Sequence, residues 1–340
     1  MRRQRVLVLL HKDLFPPEEA PSYEEWEYAK WKTEYDVQKG LIEAGHQVLL
    51  LGVDEDLRVI RETIEEYRPH IVFNLLEEFA GIATFDQHVV SYLEVLGVKY
   101  TGCNPRGLMI ARSKDLAKKL LTYHRIPNPD FYVFSVSRKI HIPRKIHYPL
   151  FVKSLIEESS LGITQDSIVY NDKELTERIE YFAEKVGSDV IAESYVDGRE
   201  FYVSIMGNHR LEVLPPWELF FNNLPKRAPR IATRKVKWDS RYRKKYGIDS
   251  GIAKDLEKNL LDKLQQVAKR TYRALELSGY ARIDLRMDKN NFIYVIEANP
   301  NPDIGLEDEF SDSAKVVGYS FSAFLNRILS LGLNWSTLGA

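Results

Sequence analysis

Short apolar runs alternate with polar segments of helical spacing in the N-terminal part of the chain. Four of these runs have the length of β-strands: residues 5–11, 46–53, 70–76 and 98–102. Strands that alternate with helices favour a parallel sheet with helices packed on its faces. The pattern therefore predicts the α/β class and a first domain at residues 1–105.

The segment between the first two runs predicts a single helix. Ser22 and Glu25 have the spacing of a capping box, in which each side chain bonds to the backbone N–H of the other residue. Gly45 is predicted to end this helix. The side chains at helical intervals in between are Trp26, Ala29, Thr33, Val37 and Leu41.

Two further domains are predicted, at residues 106–190 and 191–340. The central one combines a helix at residues 113–124, three short strands (FYVFSV, YPLFVK and SIVYND) and a helix that ends near Gly187. The apolar run at 190–192 begins the third domain, which also contains FYVSIM, a helix at about 253–277 and a hairpin near the end. Between these elements, residues 225–245 are strongly basic and lack a clear period.

The charge balance argues against a polyanionic partner. The 340 residues include 48 Lys and Arg against 49 Asp and Glu, a net charge of −1, so neither nucleic acid nor an anionic membrane is expected as a ligand. No apolar run approaches the roughly 20 residues that cross a bilayer, and the run after Arg5 is too short for a signal sequence. Because the single Cys103 also fits a reducing compartment, a cytoplasmic protein is predicted.

The segment at 279–303, GYARIDLRMDKNNFIYVIEANPNPD, is the most informative part of the chain. Its alternation of apolar and polar residues on both sides of a polar turn predicts a β-hairpin. If Met287 faces Phe292, then Arg282 faces Glu297, and alternate side chains share a face. Four polar residues are then predicted on one face: Arg282, Asp284, Glu297 and Asn299.

This polar face has the chemistry of a magnesium site. Two carboxylates and a carboxamide oxygen suit Mg²⁺, which fills its remaining positions with phosphate oxygens and water. Arg282 beside them suits an anionic intermediate. A solvated strand face with an Arg–Glu pair is an alternative of equal weight.

A lysine and a loop of small residues form a second candidate. Lys153 ends an apolar strand, and the loop that follows contains Ser159, Ser160 and Gly162. Such a loop can point backbone N–H groups at phosphate oxygens while a lysine adds a point charge, although a plain turn is the more common outcome. Lys114, taken alone, has the pattern of a solvated helix residue.

The crossover between the central and third domains is a third candidate. The backbone of Glu193, Ser194, Tyr195 and Val196 can bond to a purine edge, and Glu200 can accept from ribose hydroxyls, because clefts between domains are preferred ligand sites. The alternative is a strand, a turn and another strand.

In their order along the chain, these residues resemble the ATP-grasp superfamily, and most closely the D-alanine–D-alanine ligases. The similarity covers about residues 95–303, and GYARIDLRMD with EANPNP is its most specific part. It implies an ATP-grasp fold behind a Rossmann-like N-terminal domain, and an ADP-forming ligase that joins a carboxylate to an amine through an acyl-phosphate. The alternatives are glutathione-synthetase-like or peptide-tailoring ligases of the same superfamily, and a non-catalytic nucleotide-binding regulator.

The resemblance also implies a role for each candidate residue. Residues 193–196 would hold adenine, and Glu200 would hold the ribose of ATP. Arg282 would stabilise the acyl-phosphate and the tetrahedral species that follows it. The residues implied at the ATP phosphates are Lys114, Lys153, Lys237 and a closing loop with Ser159 and Ser160. The residues implied to bind two Mg²⁺ ions are Asp284, Glu297 and Asn299.

Three departures from the ligase pattern concern the substrates. Glu158 stands where the ligases have glycine before the paired serines, and Asp303 stands where they have glycine after proline. The N-terminal motifs that grip the first amino acid are not evident, and the candidates for that role are Glu18, Glu19, Glu77 and Glu78. The expected partners are small amino acid or peptide substrates and, as is common among similar ligases, a second copy of the chain.

Overall fold

The computed structural model describes residues 1–155, 162–225 and 228–336, except for the side chains of Arg234 and Trp238. Within these ranges three β-sheets follow one another along the chain. The helices are α1 Tyr23–Glu27, α2 Lys32–Glu43, α3 Arg58–Tyr67, α4 Asp86–Val95, α5 Pro105–Arg112, α6 Lys114–Tyr123, α7 Asp172–Lys185, α8 Arg234–Trp238, α9 Ser240–Tyr246, α10 Lys258–Ala274, α11 Glu309–Val316 and α12 Phe321–Leu333. The strands are β1 Arg5–His11, β2 Gln47–Val53, β3 Ile71–Asn74, β4 Phe131–Phe134, β5 Leu150–Ser154, β6 Ile168–Val169, β7 Val190–Ser194, β8 Gly198–Met206, β9 Glu212–Val213, β10 Trp217–Phe221, β11 Ile248–Ile252, β12 Tyr280–Asp288 and β13 Ile293–Pro300.

The N-terminal sheet is parallel and has the strand order β2–β1–β3. Its central strand is buried on both faces, as expected for a parallel strand covered by helices. Three of the four predicted strands are present. The run at 98–102 contributes a single bridge, between Tyr100 and Val72, and is not a strand.

The predicted first helix is broken into two. The capping box of Ser22 and Glu25 is present and starts α1, but α1 ends at Glu27 and α2 begins at Lys32. Across the break, Trp26 Nε1 donates to Asp36 Oδ1 at 2.6 Å. Ten residues of continuous helix would separate these positions by about 15 Å, so this hydrogen bond requires the break.

The central sheet has the strand order β4–β7–β5–β6 and is antiparallel. Strand β7 pairs with both β4 and β5, so a domain boundary between residues 190 and 191 falls at the start of a strand of this sheet. The helix predicted at 113–124 corresponds to α6. The additional helix α5 precedes it and was not predicted. Asn104 is its N-cap and Pro105 its first residue, which is a typical start signal for a helix.

The C-terminal sheet has the order β11–β10–β8–β12–β13, with β9 paired to β8. The β12–β13 hairpin is present, but the predicted register was wrong, because Met287 faces Ile293 and not Phe292. A β-bulge follows, since Leu285 faces Val295 whereas Asp284 faces Glu297. Ile296 is therefore the extra residue on β13.

The bulge decides which side chains share a face. Leu285 and Val295 are buried in the core. Without the extra residue, the same register would place Asp284 opposite Ile296 and would turn Glu297 to the other face. With it, Asp284 faces Glu297 and Arg282 faces Asn299, so the predicted shared polar face is present.

One hydrophobic core extends from the N-terminal sheet to the C-terminal sheet. Buried side chains of β1, α5, α10 and β12 belong to a single cluster, which includes Leu9, Leu108, Ala268 and Ile283. This packing fixes the N-terminal sheet against the C-terminal sheet, whereas the core of the central sheet is a separate cluster.

The last two helices pack apolar side chains on the N-terminal sheet, among them Phe310 and Phe324. Within residues 1–155, 162–225 and 228–336, no single helix is long and apolar enough to cross a membrane. Helices α11 and α12, which meet at a bend of 104°, have together the length and composition of a broken span.

A close backbone contact joins the first and last sheets. Gly279 has a φ of +67°, and a Cβ atom there would lie 2.3 Å from the carbonyl oxygen of Gly102. Beside it, the N–H of Cys103 donates to Asn301 Oδ1 at 2.7 Å. The contact therefore fixes both the entry to β12 and the segment after β13 against the N-terminal domain.

We expect Gly279→Ala to destabilise the fold more than a matched glycine substitution. Gly187 has a similar φ of +71°, but a Cβ atom added there would have no neighbouring atom within 4 Å. Gly187→Ala should cost about 1–2 kcal/mol for the left-handed backbone, and Gly279→Ala should cost about 1–3 kcal/mol more for the clash. Urea unfolding of both variants measures the difference, and equal costs would contradict the close contact.

Candidate functional site

The cleft between the sheets consists of two adjoining cavities of about 380 and 80 Å³. Lys153, Lys237 and Glu297 line both, so the two cavities form one continuous site. Ser159, Ser160 and Glu158 lie outside the described residues. The other residues that the resemblance implies for the nucleotide, the metal and the intermediate each line at least one of the cavities: Lys114, Lys153, Glu193, Ser194, Tyr195, Val196, Glu200, Lys237, Arg282, Asp284, Glu297 and Asn299.

The carboxylates of the hairpin converge through short contacts. Arg282 makes a bidentate pair with Asp284, at 2.8 and 3.0 Å. Asn299 Nδ2 donates to Asp284 Oδ2 at 3.1 Å and lies 3.5 Å from Glu297 Oε1. These contacts follow directly from the register that the bulge sets.

Arg282 is held from two sides. Besides its pair with Asp284, its Nη1 lies 3.4 Å from Glu309 Oε2 at the start of α11. Its guanidinium also lies 4.8 Å from the centre of the Tyr202 ring, within the range of a cation–π contact. A planar guanidinium fixed in this way presents the remainder of its donor edge to the cavity.

The two carboxylates of the hairpin differ in charge environment. Burial would raise the pKa of Glu297, but the positive charges of Lys153, Lys114 and Lys237 outweigh it and lower the pKa to about 2. Burial raises the pKa of Asp284 to about 6, against the opposing effect of Arg282. Glu297 is therefore the more firmly ionised of the two.

A chain of buried charges connects α6 with the cleft. Glu193 Oε2 lies 3.4 Å from Lys118 Nζ, and its Oε1 lies 3.1 Å from Lys153 Nζ. Lys153 in turn lies 3.9 Å from Glu297 Oε2. Burial would lower the pKa of Lys153, yet Glu193 and Glu297 raise it. Helix α6, the central sheet and the C-terminal sheet thus share one run of alternating charges.

The smaller cavity has apolar walls and a backbone edge. Phe151 and Ile296 are among its lining residues, beside residues 193–196. The N–H groups of Ser194 and Tyr195 donate to protein carbonyls and are occupied. Among the described residues nothing bonds to the N–H of Val196, which leaves it for a ligand.

Arg286 is a cleft residue that the sequence analysis missed. It lies opposite Glu200 in the sheet and donates to Glu200 Oε2 at 2.7 Å and to the carbonyl of Val196 at 2.7 Å. It shares the alternation of Arg282 and Asp284, which is the signal that identifies it. Glu200 also accepts from the hydroxyl of Tyr202 at 3.0 Å, so its carboxylate is held in place by two partners.

The donor set of the hairpin fits Mg²⁺. Two carboxylates and a carboxamide are hard oxygen ligands, and Mg²⁺ commonly takes one or two carboxylates and completes its shell with phosphate oxygens and water. Each carboxylate oxygen that accepts one hydrogen bond retains a second lone pair. Within the described ranges, no group of three or more His, Cys, Asp or Glu side chains is arranged to hold a metal ion alone.

Of the four N-terminal candidates, Glu77 lines the larger cavity, and Glu18, Glu19 and Glu78 do not. Arg112 Nη2 donates to the carbonyl of Glu77 at 3.3 Å and forms a buried pair with Asp86 at 2.6 Å. Asp303, the departure from the ligase pattern after the metal-type residues, also lines this cavity.

Comparisons with known proteins identify relatives over most of the chain. Residues 120–330 match the sequence model of the family described as D-ala D-ala ligase C-terminus. The uncharacterised protein y4sG of Sinorhizobium fredii is 30% identical over 87% of this chain and 85% of its own length. The D-alanine–D-alanine ligase of Carboxydothermus hydrogenoformans is 28% identical over 87% of this chain and 90% of its own length.

Solved structures share the fold. The D-alanine–D-alanine ligase of Bacillus anthracis superposes with a TM-score of 0.75 at 23% identity over 97% of both chains. The VanG D-Ala:D-Ser ligase of Enterococcus faecalis gives 0.69 at 19% identity, over 97% of this chain and 99% of its own. The predicted α/β class and ATP-grasp fold are therefore confirmed.

We expect the free energy of unfolding to rise at alkaline pH because of Lys118. Burial, together with the charge of Lys153, lowers the pKa of Lys118 from 10.5 to about 8 in the folded protein. Between these values the unfolded chain binds more protons, so the free energy of unfolding rises with pH as the cost of burying the charge disappears. Urea unfolding at pH 7.5 and pH 9.5 measures this rise.

The matched variants isolate Lys118 from other groups. Lys118→Met should lack this part of the rise, whereas Lys119→Met, at an exposed position on the same helix, should keep it. If Lys118→Met and the unchanged protein show the same dependence on pH, Lys118 is not a buried ammonium.

Proposed function

The chain belongs to the D-ala D-ala ligase C-terminal family, and on that premise we propose that its cleft joins an amino acid or peptide carboxylate to an amine through an acyl-phosphate. Members of this family are ATP-dependent ligases that form C–N bonds, and the protein is such an enzyme. The observation that carries the proposed mechanism is the continuity of the cleft, since Lys153, Lys237 and Glu297 line both cavities.

The smaller cavity is the proposed adenine site. Its apolar walls suit a purine, and the N–H of Val196 suits a ring nitrogen. Glu200, oriented by Arg286, accepts from the ribose hydroxyls. The phosphates then extend into the larger cavity past Lys153 and Lys237 toward Lys114. Ser159 and Ser160 are proposed to close over the γ-phosphate.

Asp284, Glu297 and Asn299 are the residues that would hold Mg²⁺, and we propose two ions. Bound there, magnesium would offset the negative charge of the phosphates during phosphoryl transfer. The chain itself contributes Lys153 and Lys237, whose charges lie beside Glu297. Because Glu297 stays ionised to low pH, it provides a permanent anionic ligand.

The reaction proceeds in two displacements. A carboxylate oxygen attacks the γ-phosphorus and ADP leaves. The neutral amine then attacks the carbonyl carbon, phosphate leaves with the electron pair of the C–O bond, and the nitrogen gives up one proton to the released phosphate. Arg282 points its donor edge at the carbonyl oxygen, where negative charge develops in the second step. Its pairs with Asp284 and Glu309 fix this orientation before substrate arrives.

The sequence predicts domains at residues 1–105, 106–190 and 191–340. We propose to move the second boundary to after Ser194, because β7 pairs inside the central sheet, and each domain then contains one of the three sheets. The N-terminal domain supplies Glu77 to the cleft, and small amino acid substrates are expected there. The cytoplasmic location and the homodimer stay predictions from the sequence.

We expect ADP release from Mg²⁺-ATP to depend on an amino acid pair. The enzyme should be assayed with L- and D-amino acids, singly and in pairs, and the product mass should be read from each active mixture. A product equal to the sum of the two substrates minus water supports the acyl-phosphate route. ATP binding without ADP release in any mixture would contradict the proposed mechanism.

We expect Glu297→Gln to lower ADP release by at least about 100-fold, because it removes an anionic magnesium ligand beside the phosphates. Gln keeps the size of the side chain, so the thermal unfolding midpoint should change little. Glu180→Gln, at an exposed position on α7, is the control and should retain activity. Wild-type turnover by Glu297→Gln would remove Glu297 from the proposed metal site.

A further inference from the structure

The segment 302–310 makes one wall of the larger cavity acidic. The carboxylates of this wall line the larger cavity and do not line the smaller one. Glu77 reaches the same cavity from the N-terminal domain. The acidic side chains of the segment are Asp303, Glu307, Asp308 and Glu309.

Helix α2 packs against this segment, since the N–H of Leu306 donates to Asp36 Oδ2 at 2.8 Å, and it carries a buried carboxylate with one unpartnered oxygen. Glu34 of α2 is 4% exposed, and its Oε2 has no partner among the described residues. Burial raises its pKa to about 7, and the charges of Asp303 and Asp36 add to that rise, so these groups lie close together. A buried polar atom without a partner is costly, and positive charge bound near Asp303 would offset part of that cost.

The described cations that line the larger cavity have other partners. Arg243 donates to the carbonyl of Val236 at 3.2 Å, and its charge also acts on Glu309. Arg112 pairs with Asp86 at 2.6 Å, and Lys114 acts on Glu297. Arg282 is paired with Asp284 and also serves Glu309. Lys237 also lines the smaller cavity, beside the proposed phosphates. Lys32 lies over the ring of Trp26 at 4.2 Å, and its charge opposes the rise in the pKa of both Asp303 and Asp308. Burial, followed by the charge of Asp303, outweighs Lys32 and raises the pKa of Asp308 to about 7.

Two aromatic residues of α1, the exposed Tyr23 and the half-buried Trp26, lie near the same wall. Tyr23 lies near enough to Glu307 for that charge to raise the pKa of its hydroxyl. Trp26 already holds one ammonium, that of Lys32, over its ring. Carboxylates next to aromatic faces are a typical setting for alkylammonium groups.

The order of groups along the cleft assigns this wall to the amine. With adenine in the smaller cavity and the phosphates beside Lys153, the activated carboxylate lies next to Arg282. The remaining space, on the side of Asp303 and Asp308, is that of the acceptor. An acceptor with a free carboxylate would place that group among like charges, which disfavours it.

Resting on the proposed ligase function, we propose that the acceptor carries a second positive charge and no free carboxylate. Asp303 and Asp308, which line the larger cavity, bind this charge. The class comprises diamines and amides of basic amino acids.

Three kinds of acceptor separate the possibilities. ADP release should be measured with Mg²⁺-ATP and the amino acid panel as carboxylate donors. The first kind of acceptor has a second positive charge (1,4-diaminobutane or lysinamide), the second has none (alaninamide), and the third has a free carboxylate (alanine). We expect kcat/KM to fall from the first kind to the third, by at least tenfold overall. Alanine equal to or better than the diamine would overturn the inference and leave the ligase function intact.

Conservative variants test the wall directly. Asp308→Asn and Asp303→Asn should raise the KM for 1,4-diaminobutane at least fivefold more than the KM for alaninamide. Asp308 makes no side-chain cap on α11, so its substitution removes no helix-capping bond. Asp262→Asn, at an exposed site on α10, is the control and should behave as the unchanged enzyme.

Calorimetry decides the inference even if no donor is found. 1,4-Diaminobutane should bind to the enzyme loaded with Mg²⁺ and a non-hydrolysable ATP analogue, and Asp308→Asn should weaken that binding at least fivefold. Absence of diamine binding, or binding that Asp308→Asn leaves unchanged, would overturn the inference. Absence of ADP release with intact diamine binding would instead count against the proposed ligase mechanism alone.

Discussion

The geometry of the cleft depends on one extra residue in β13. Side chains alternate along a strand. In a hairpin without the bulge at Ile296, either Leu285 and Val295 could share the buried face or Asp284 and Glu297 could share the polar face, but not both. The bulge allows Leu285 and Val295 to pack in the core while Asp284 faces Glu297. The bulge thus lets one hairpin contribute apolar side chains to the core and polar side chains to the cleft.

This irregularity also explains why the sequence could predict the polar face but not the register. The turn is one residue longer on the β13 side than expected, because Asn291 adopts a left-handed φ of +62° and Asp288 Oδ1 accepts from the N–H groups of Asn290 and Phe292. The bulge adds one more residue on the same strand. Each shift by one residue exchanges the two faces of the strand, so two shifts return every side chain to the face that was predicted. The shared polar face was therefore predicted correctly from a pairing that was wrong.

Local patterns predicted the elements well where their cause was local. The capping box of Ser22 and Glu25 and the buried strand β1 are examples. The break between α1 and α2 was not predictable in this way, because it accompanies a hydrogen bond from Trp26 to Asp36, which lies ten residues further along the chain. Glu309 and Lys118 were missed for a similar reason, since their partners, Arg282 and Glu193, are remote in sequence.

The contact between Lys153 and Glu297 has a consequence for the thermodynamics of ligand binding. In the protein alone Glu297 lies 3.9 Å from Lys153 and is also stabilised by the charges of Lys114 and Lys237. In the proposed site, a phosphate that draws the charge of Lys153 would leave less positive charge for Glu297, and a divalent cation would restore it. Nucleotide and metal would then strengthen the binding of each other, and this cooperativity would be reciprocal. The proposed site is therefore expected to prefer the nucleotide and its metal as a complex.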